Sequence, residues 1–293
     1  MSRIPPELFQ LIVENCEFHP TVYTLLFVSR DWYKEAARRL YRSIVAIGCQ
    51  PLYLEQRDQR QKEMLLRLHQ SPHLMANLVN LNLSSLDDNQ DWGAFASPQW
   101  LRFMPAVSKM CPNLKSLHLP FHYGLTFIPP TNACFRLHTF NFDSVVKIDQ
   151  GMVSLAHDYF HEAWPFLESQ PEIRLLVIPY WLEVKPLSLH ALPNLRSLFA
   201  SIRICSWLLP NRPVEEVRLR VDVQITQYAF DGFGPLPHLK RLYLAHPLEN
   251  LFWFSKSLGQ LEYLEVTLVC ESLTIAAPFS KISLRNTCAT LIP

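Results

Sequence analysis

Glycine is scarce, with seven among 293 residues. No GxGxxG or GxxxxGK[ST] phosphate loop and no GxSxG nucleophile turn can be written with them, so the enzyme classes built on those turns find no footing here. Charge of one sign is also missing. Twenty-seven Lys and Arg stand against 26 Asp and Glu, for a net charge of +1 and a pI near 7.7. Nothing in that balance favours nucleic acid or an anionic membrane as partner. Apolar runs are short; a stretch such as Leu175 to Leu182 falls far below the length that crosses a bilayer. Cysteine is sparse and unpatterned. The seven, at 16, 49, 111, 134, 205, 270 and 288, are odd in number and contain no CxxC pair. They read as reduced thiols, which places the chain in the cytoplasm or nucleus. Met1-Ser2-Arg3-Ile4-Pro5 leads straight into a helical pattern, so no targeting sequence is expected. What the chain does have is apolar substance, 49% of its residues, enough for a substantial core.

Side chains that could carry chemistry do not assemble by spacing. His157 and His161 lie four apart on an expected helix, a metal-compatible geometry, yet no third ligand can be named. They read as a surface pair. His118 and His122 have the same spacing, but on a strand running into a loop, where they point apart. Asn82-Leu83-Ser84 is a formal glycosylation triplet on an expected strand and reads as chance. No catalytic residue, metal or cofactor is expected, and the chain reads as a non-enzyme.

A repeat dominates the rest. The pattern Φ-x-x-Φ-x-Φ, with Φ apolar, recurs nine times. It begins with Leu78/Leu81/Leu83, Leu114/Leu117/Leu119, Leu137/Phe140/Phe142 and Ile173/Leu176/Ile178. It continues with Leu195/Leu198/Ala200, Val214/Val217/Leu219, Leu239/Leu242/Leu244, Leu261/Leu264/Val266 and Phe279/Ile282/Leu284. Successive first positions are 36, 23, 36, 22, 19, 25, 22 and 18 residues apart, in or near the leucine-rich range of about 20–29. Pro112, Pro171, Pro193 and Pro237 each stand two residues before a first position. The last two Φ positions alternate as a half-buried strand requires, and each unit must share a core with its neighbours. The expected architecture is α/β: an irregular right-handed leucine-rich-repeat solenoid with a parallel sheet over 45–293. Helices are expected over Leu54 to Gln70, Ser97 to Met110 and Gly151 to Glu168, a leading strand over Tyr41 to Ile47, and loops or single turns in the shorter intervals. Three residues after each last Φ, where regular arrays carry asparagine, stand Leu86, His122, Val145, Trp181, Arg203, Asp222, Pro247, Val269 and Thr287.

One side chain per strand should project onto the concave face between the last two Φ positions. That column is Asn82, His118, Asn141, Val177, Phe199, Arg218, Tyr243, Glu265 and Ser283. Phe199, Arg218, Tyr243 and Glu265 fall in the most evenly spaced units and form the candidate target-binding patch, since aromatic and Arg side chains anchor protein interfaces. Arg218 suits an acidic or phosphorylated group, while Glu216 and Glu265 weigh against a purely anionic ligand. The plainer reading of Glu216, Arg218 and Arg220 is a solvated charged ladder.

The first forty-four residues follow another logic. Pro5 and Pro6 suit a helix entry, and Glu7 favours the helix dipole. Leu8, Leu11, Ile12 and Cys16 repeat at helical spacing. His19-Pro20 breaks that helix, Thr21 can cap a second one carrying Val22, Leu25 and Val28, and Ser29 or Asp31 can start a third carrying Trp32, Ala36, Leu40 and Ile44. Three short helices cannot bury a large core, so some of their apolar surface should face a partner or the repeats.

Ile4-Pro5-x-Glu7-Leu8, then Val28-Ser29-Arg30-x-Trp32, then a basic helical tail: this order resembles the F-box, the three-helix module that docks on the Skp adaptor of cullin–RING ubiquitin ligases. With the repeats behind it, the chain is similar to fungal F-box proteins with leucine-rich tails. The resemblance implies an F-box over 1–44, with Pro5, Leu8, Ile12, Leu25, Val28 and Trp32 in its core or on its adaptor-facing surface. It also implies the Skp adaptor, and through it cullin, as partners of a substrate-recruiting subunit whose target protein the sequence does not name. The alternative is a leucine-rich interaction scaffold outside any ligase.

Overall fold

The computed structural model describes residues 5–45, 63–64, 67–83, 98–120, 129–143, 163–178, 187–219, 234–245, 260–268 and 280–285. The fold is α/β, and the chain divides into two compact units, Met1–Leu137 and His138–Pro293.

Three helices open the first unit: α1 (Pro6–Asn15), α2 (His19–Leu25) and α3 (Arg30–Leu40). Pro5 is the N-cap of α1 and Pro6 its first residue, where the missing N–H costs nothing. The second helix starts earlier than Thr21. Phe18 is its N-cap, and His19 and Pro20 open it, because proline is as good an entry as a break. Ser29 caps α3, its hydroxyl accepting from the Trp32 N–H at 3.4 Å. That helix ends at Leu40, so Ile44 belongs to a strand instead. Val13, Val22 and Ala36 form the buried centre, with Cys16, Leu25, Leu26, Trp32 and Leu40 packed around it. Phe9 meets Trp32 edge to face at 4.6 Å.

Arginines close this small bundle. The Arg39 guanidinium donates to the carbonyls of Val13 and Cys16 at the end of α1, the first of which also accepts from the Cys16 N–H. Arg38 bridges Glu14 and Glu35, at 2.8 Å to each. Its bond to Glu14, aided by Gln10, holds that carboxyl below its ordinary value.

Strands β1 (Ser43–Val45), β2 (Asn80–Asn82) and β3 (Ser116–Pro120) follow and run parallel, Ile44 opposite Leu81 and Leu81 opposite Leu117. Helices α4 (Pro72–Met75) and α5 (Pro98–Met110) lie on the returning segments and pack together. Residues 63–64 and 67–69 are helical; the rest of the helix expected over Leu54 to Gln70 lies outside the described residues.

In the second unit β4 (Thr139–Asp143), β5 (Leu175–Val177), β6 (Ser197–Ala200), β7 (Glu216–Leu219), β8 (Arg241–Ala245) and β9 (Tyr263–Leu268) pair in sequence order, all parallel. The last strand, β10 (Ser280–Arg285), departs from the expected parallel sheet: it lies antiparallel to β9. Its unit follows the shortest of the intervals. A parallel return needs a crossover, whereas an antiparallel one needs only a reversing loop. Helix α6 (Ala163–Glu168) covers the described part of the helix expected from Gly151; 151–162 lie outside the described residues. Helix α7 (Ile202–Leu208) fills an interval where only a turn was expected, nucleated by Ser201, whose hydroxyl accepts from the Ile204 N–H at 3.3 Å.

The repeat residues make the core. Leu81, Leu117, Leu176, Leu198 and Leu242 have no exposed surface, and Leu264 is buried with them. Each proline lead-in is a tight turn. The N–H of the first Φ residue reaches back three positions: Leu114 to Cys111, Ile173 to Gln170, Leu195 to Leu192 and Leu239 to Leu236. Proline sits at the second turn position, where its fixed φ fits and its missing N–H is not needed. The next two N–H groups then share one carbonyl of the preceding unit. Arg196 and Ser197 donate to Arg174, Glu215 and Glu216 to Arg196, and Lys240 and Arg241 to Glu215.

Asparagine does staple neighbouring units, though not at the position regular arrays use. Asn113 donates to the Ala76 carbonyl at 2.8 Å and Asn194 to the Pro171 carbonyl at 3.0 Å. In both cases the third residue of one turn holds the second residue of the turn before it.

Candidate functional site

Two surfaces collect the candidate residues. On the helical module the chain is apolar on both sides of α1. Its inner side carries Phe9, Val13 and Cys16 against α3. Its outer side carries Leu8, Leu11 and Ile12, which are 44%, 55% and 44% exposed. The expected alignment of Leu8, Leu11 and Ile12 on one face holds, but that face is the outer one. Pro5 and Val28 are exposed as well, while Leu25 and Trp32 are half-buried against the bundle centre. Phe18, Tyr23 and Phe27 add further exposed rings, the last two 5.4 Å apart. Water contact at so many large apolar groups is costly, at about 25 cal/mol per Å². A module this small cannot turn all of them inward.

The second surface is on the sheet of the second unit. Asn141, Val177, Phe199, Arg218, Tyr243 and Glu265 stand opposite one another strand by strand, and Ser283 stands opposite Glu265; Val177, expected on the open face, is buried instead. In the first unit Asn82 stands opposite His118. Burial lowers the pKa of the His118 imidazole, whose Nε2 lies 3.0 Å from the Ser116 hydroxyl.

Among the four candidate residues the geometry is specific. The Arg218 guanidinium lies over both rings beside it, 4.6 Å from the centroid of Phe199 and 4.2 Å from that of Tyr243. Such stacking leaves the guanidinium edges for hydrogen bonding. One edge donates from Nε to Glu216 Oε1 at 2.9 Å. The other oxygen of Glu216 takes Arg241 at 2.9 Å. Glu265 accepts from the Tyr263 hydroxyl at 2.6 Å, and the Tyr263 ring lies 5.3 Å from that of Tyr243.

Arg241 and Tyr263 were not singled out from the sequence. They stand opposite Glu216 and each other, two residues before the central column. The period-two rule puts them on the same strand face, which is the signal that could have found them. The solvated ladder expected for Glu216 is corrected. Its side chain is only 8% exposed, beneath two half-exposed arginines, so it pairs with both and offsets one of their two charges rather than facing a ligand. Arg220, expected on the same face, lies outside the described residues.

Other candidates carry less. His157, His161 and His122 lie outside the described residues, and among those described no three metal-ligating side chains gather. Cys16, Cys111, Cys134 and Cys205 are free thiols. Burial, with Cys134 nearby, pushes the Cys111 thiol up to about 12, and burial raises that of Cys205 as well, so neither supplies a thiolate. No helix among the described residues is long and apolar enough to cross a membrane. No protein-family model matches the chain, and no curated protein sequence matches it significantly.

Proposed function

We propose that the chain is the substrate-recruiting subunit of a Skp–cullin–F-box ubiquitin ligase. Residues 1–44 act as an F-box that binds the Skp adaptor. Residues 45–293 act as an irregular right-handed leucine-rich-repeat solenoid that binds a target protein. The chain does no chemistry itself. It raises the concentration of a target beside a ubiquitin-charged enzyme brought by the rest of the complex.

The observation that carries the reading is the outward apolar side of α1. Leu8, Leu11 and Ile12 stay exposed while Val13, on the same helix, is wholly buried. Exposed apolar surface of that kind marks a partner-binding face. The Ile4-Pro5-x-Glu7-Leu8 and Val28-Ser29-Arg30-x-Trp32 motifs supply the identity of the partner. A cytoplasmic or nuclear location follows from the reading, since that is where such ligases and reduced thiols are found.

Affinity purification of the tagged chain from cells tests it. The Skp adaptor and a cullin should be recovered together. A Leu8→Asp/Ile12→Asp double substitution should lose both, because burying two unpaired carboxylates costs several kcal/mol. Recovery of other proteins through the repeats, with no adaptor from a folded wild-type chain, would replace this reading with the scaffold outside a ligase.

A further inference from the structure

We infer that the sheet face around Arg218 and Arg241 binds an acidic peptide segment of the partner protein through a Glu or Asp carboxylate. This names the chemistry of the recruited target, and it rests on the recruiting reading only for that peptide's being a ligase target. The charge count comes first. Two guanidiniums, 48% and 49% exposed at their side chains, share the single carboxylate of Glu216, which is 8% exposed. Glu216 and the two arginines sum to +1, with the negative member beneath and the positive ones outward. Glu265, two strands from Arg218, accepts from the Tyr263 hydroxyl and keeps its own negative charge, so the ligand's carboxylate belongs at the arginine end of the face.

Geometry adds direction. Arg218 is held between Phe199 and Tyr243, and its Nε is committed to Glu216. Much of the rotamer entropy that an arginine loses on binding has thus been lost before a ligand arrives. Donors on the two terminal nitrogens suit a bidentate carboxylate. The rings of Phe199 and Tyr243 offer apolar contact to residues beside that carboxylate at little entropic cost. A single carboxylate matches the +1 of Arg218, Arg241 and Glu216 taken together. A phosphate, carrying close to two negative charges, would leave an excess facing Glu216.

The test uses the purified full chain and fluorescence anisotropy of a short fluorescein-labelled Glu–Gly repeat peptide, with Lys–Gly and phosphoserine–Gly peptides beside it. The Glu–Gly peptide should bind, more weakly as salt is raised, and the Lys–Gly peptide should not. Arg218→Gln or Arg241→Gln should each weaken binding by about tenfold, the value of a lost charged hydrogen bond. Arg174→Gln, the same charge change at an exposed site of the same unit outside the cluster, should not. A Glu216→Gln/Arg218→Gln/Arg241→Gln triple variant strands no carboxylate and should also lose binding, which covers the case where a single variant fails to fold. Equal weakening by Arg174→Gln and Arg218→Gln, or tighter binding of the phosphoserine peptide, overturns the inference. A chain that captures the adaptor but not the Glu–Gly peptide refutes this inference alone. A chain that captures the peptide but not the adaptor refutes the recruiting reading alone.

Discussion

Arg212 is a buried cation with no carboxylate on it among the described residues, and its removal should open one corner of the second unit. Its guanidinium donates to five backbone carbonyls: Ser188 at 3.0 Å, Ala191 at 2.8 Å, Trp207 at 3.2 Å, Leu208 at 3.1 Å and Pro210 at 3.3 Å. Two of these close the end of α7, where carbonyls lack helical partners. Two others belong to the segment that enters the Leu192–Leu195 turn ahead of that helix, beside Leu192, a buried residue held at φ 55°. Asn211, at φ 61°, adjoins the arginine itself. Burial lowers the pKa of the Arg212 guanidinium, yet a guanidinium stays charged under all ordinary conditions. Arg212→Ala strands those carbonyls. Each buried unsatisfied group costs about 1–3 kcal/mol, and water entering the space left by the side chain recovers part of that. A loss of about 4 kcal/mol results, in the range for breaking a buried polar network. Arg212→Lys should recover less than half, since one ammonium has three donors and cannot span both segments. Hydrogen exchange read by mass spectrometry over 187–219 measures the effect locally. Four kcal/mol corresponds to roughly a thousandfold loss of protection. A change under about 1 kcal/mol for Arg212→Ala would refute the staple.

Three further outcomes follow from the packing and the charges. Leu198→Ala, at a site with no exposure, should destabilise the second unit by roughly 2–5 kcal/mol in urea unfolding. Asn194→Ala should cost about 1 kcal/mol by the same measurement and increase exchange at the Pro171 turn, because it cuts one turn-to-turn bond. His118 has its pKa below the ordinary value of 6.5, so the unfolded chain binds its proton first. Its contribution is complete above that value and is lost as pH falls toward the folded pKa. Thermal unfolding of the first unit between roughly pH 7 and 5 should therefore fall less steeply in His118→Gln than in the wild type.

The strand leucines were legible because period and burial agree. A unit of two alternating apolar positions behind a tight turn has one way to face the core, and Leu81, Leu117, Leu176, Leu198, Leu242 and Leu264 all take it. Register was legible for the same reason, since equal spacing from the turn places Phe199, Arg218, Tyr243 and Glu265 opposite one another. Direction was not: the alternation in Phe279/Ile282/Leu284 is identical for either sense of β10. Nor was the inner side of α1, where Leu8, Phe9, Leu11, Ile12 and Val13 make an apolar arc of more than half the circumference and only packing against α3 selects Phe9 and Val13. The role of Glu216 depends on Arg241 in the neighbouring strand, 25 residues away, which no local pattern encodes. The asparagine staples escaped because they sit in the lead-in turns of Asn113 and Asn194 rather than after the strands.

Docking of the outer side of α1 on the Skp adaptor, as proposed, can be measured with two purified proteins. Purified chain mixed with purified adaptor at micromolar concentration, then sized by chromatography with light scattering, tests it without help from other cellular proteins. A one-to-one complex is expected for the wild type and separate elution for Leu8→Asp/Ile12→Asp, with hydrogen exchange over the repeats unchanged. A folded wild-type chain that elutes apart from the adaptor, or a double variant that still co-elutes with it, would show that this face is not the adaptor site.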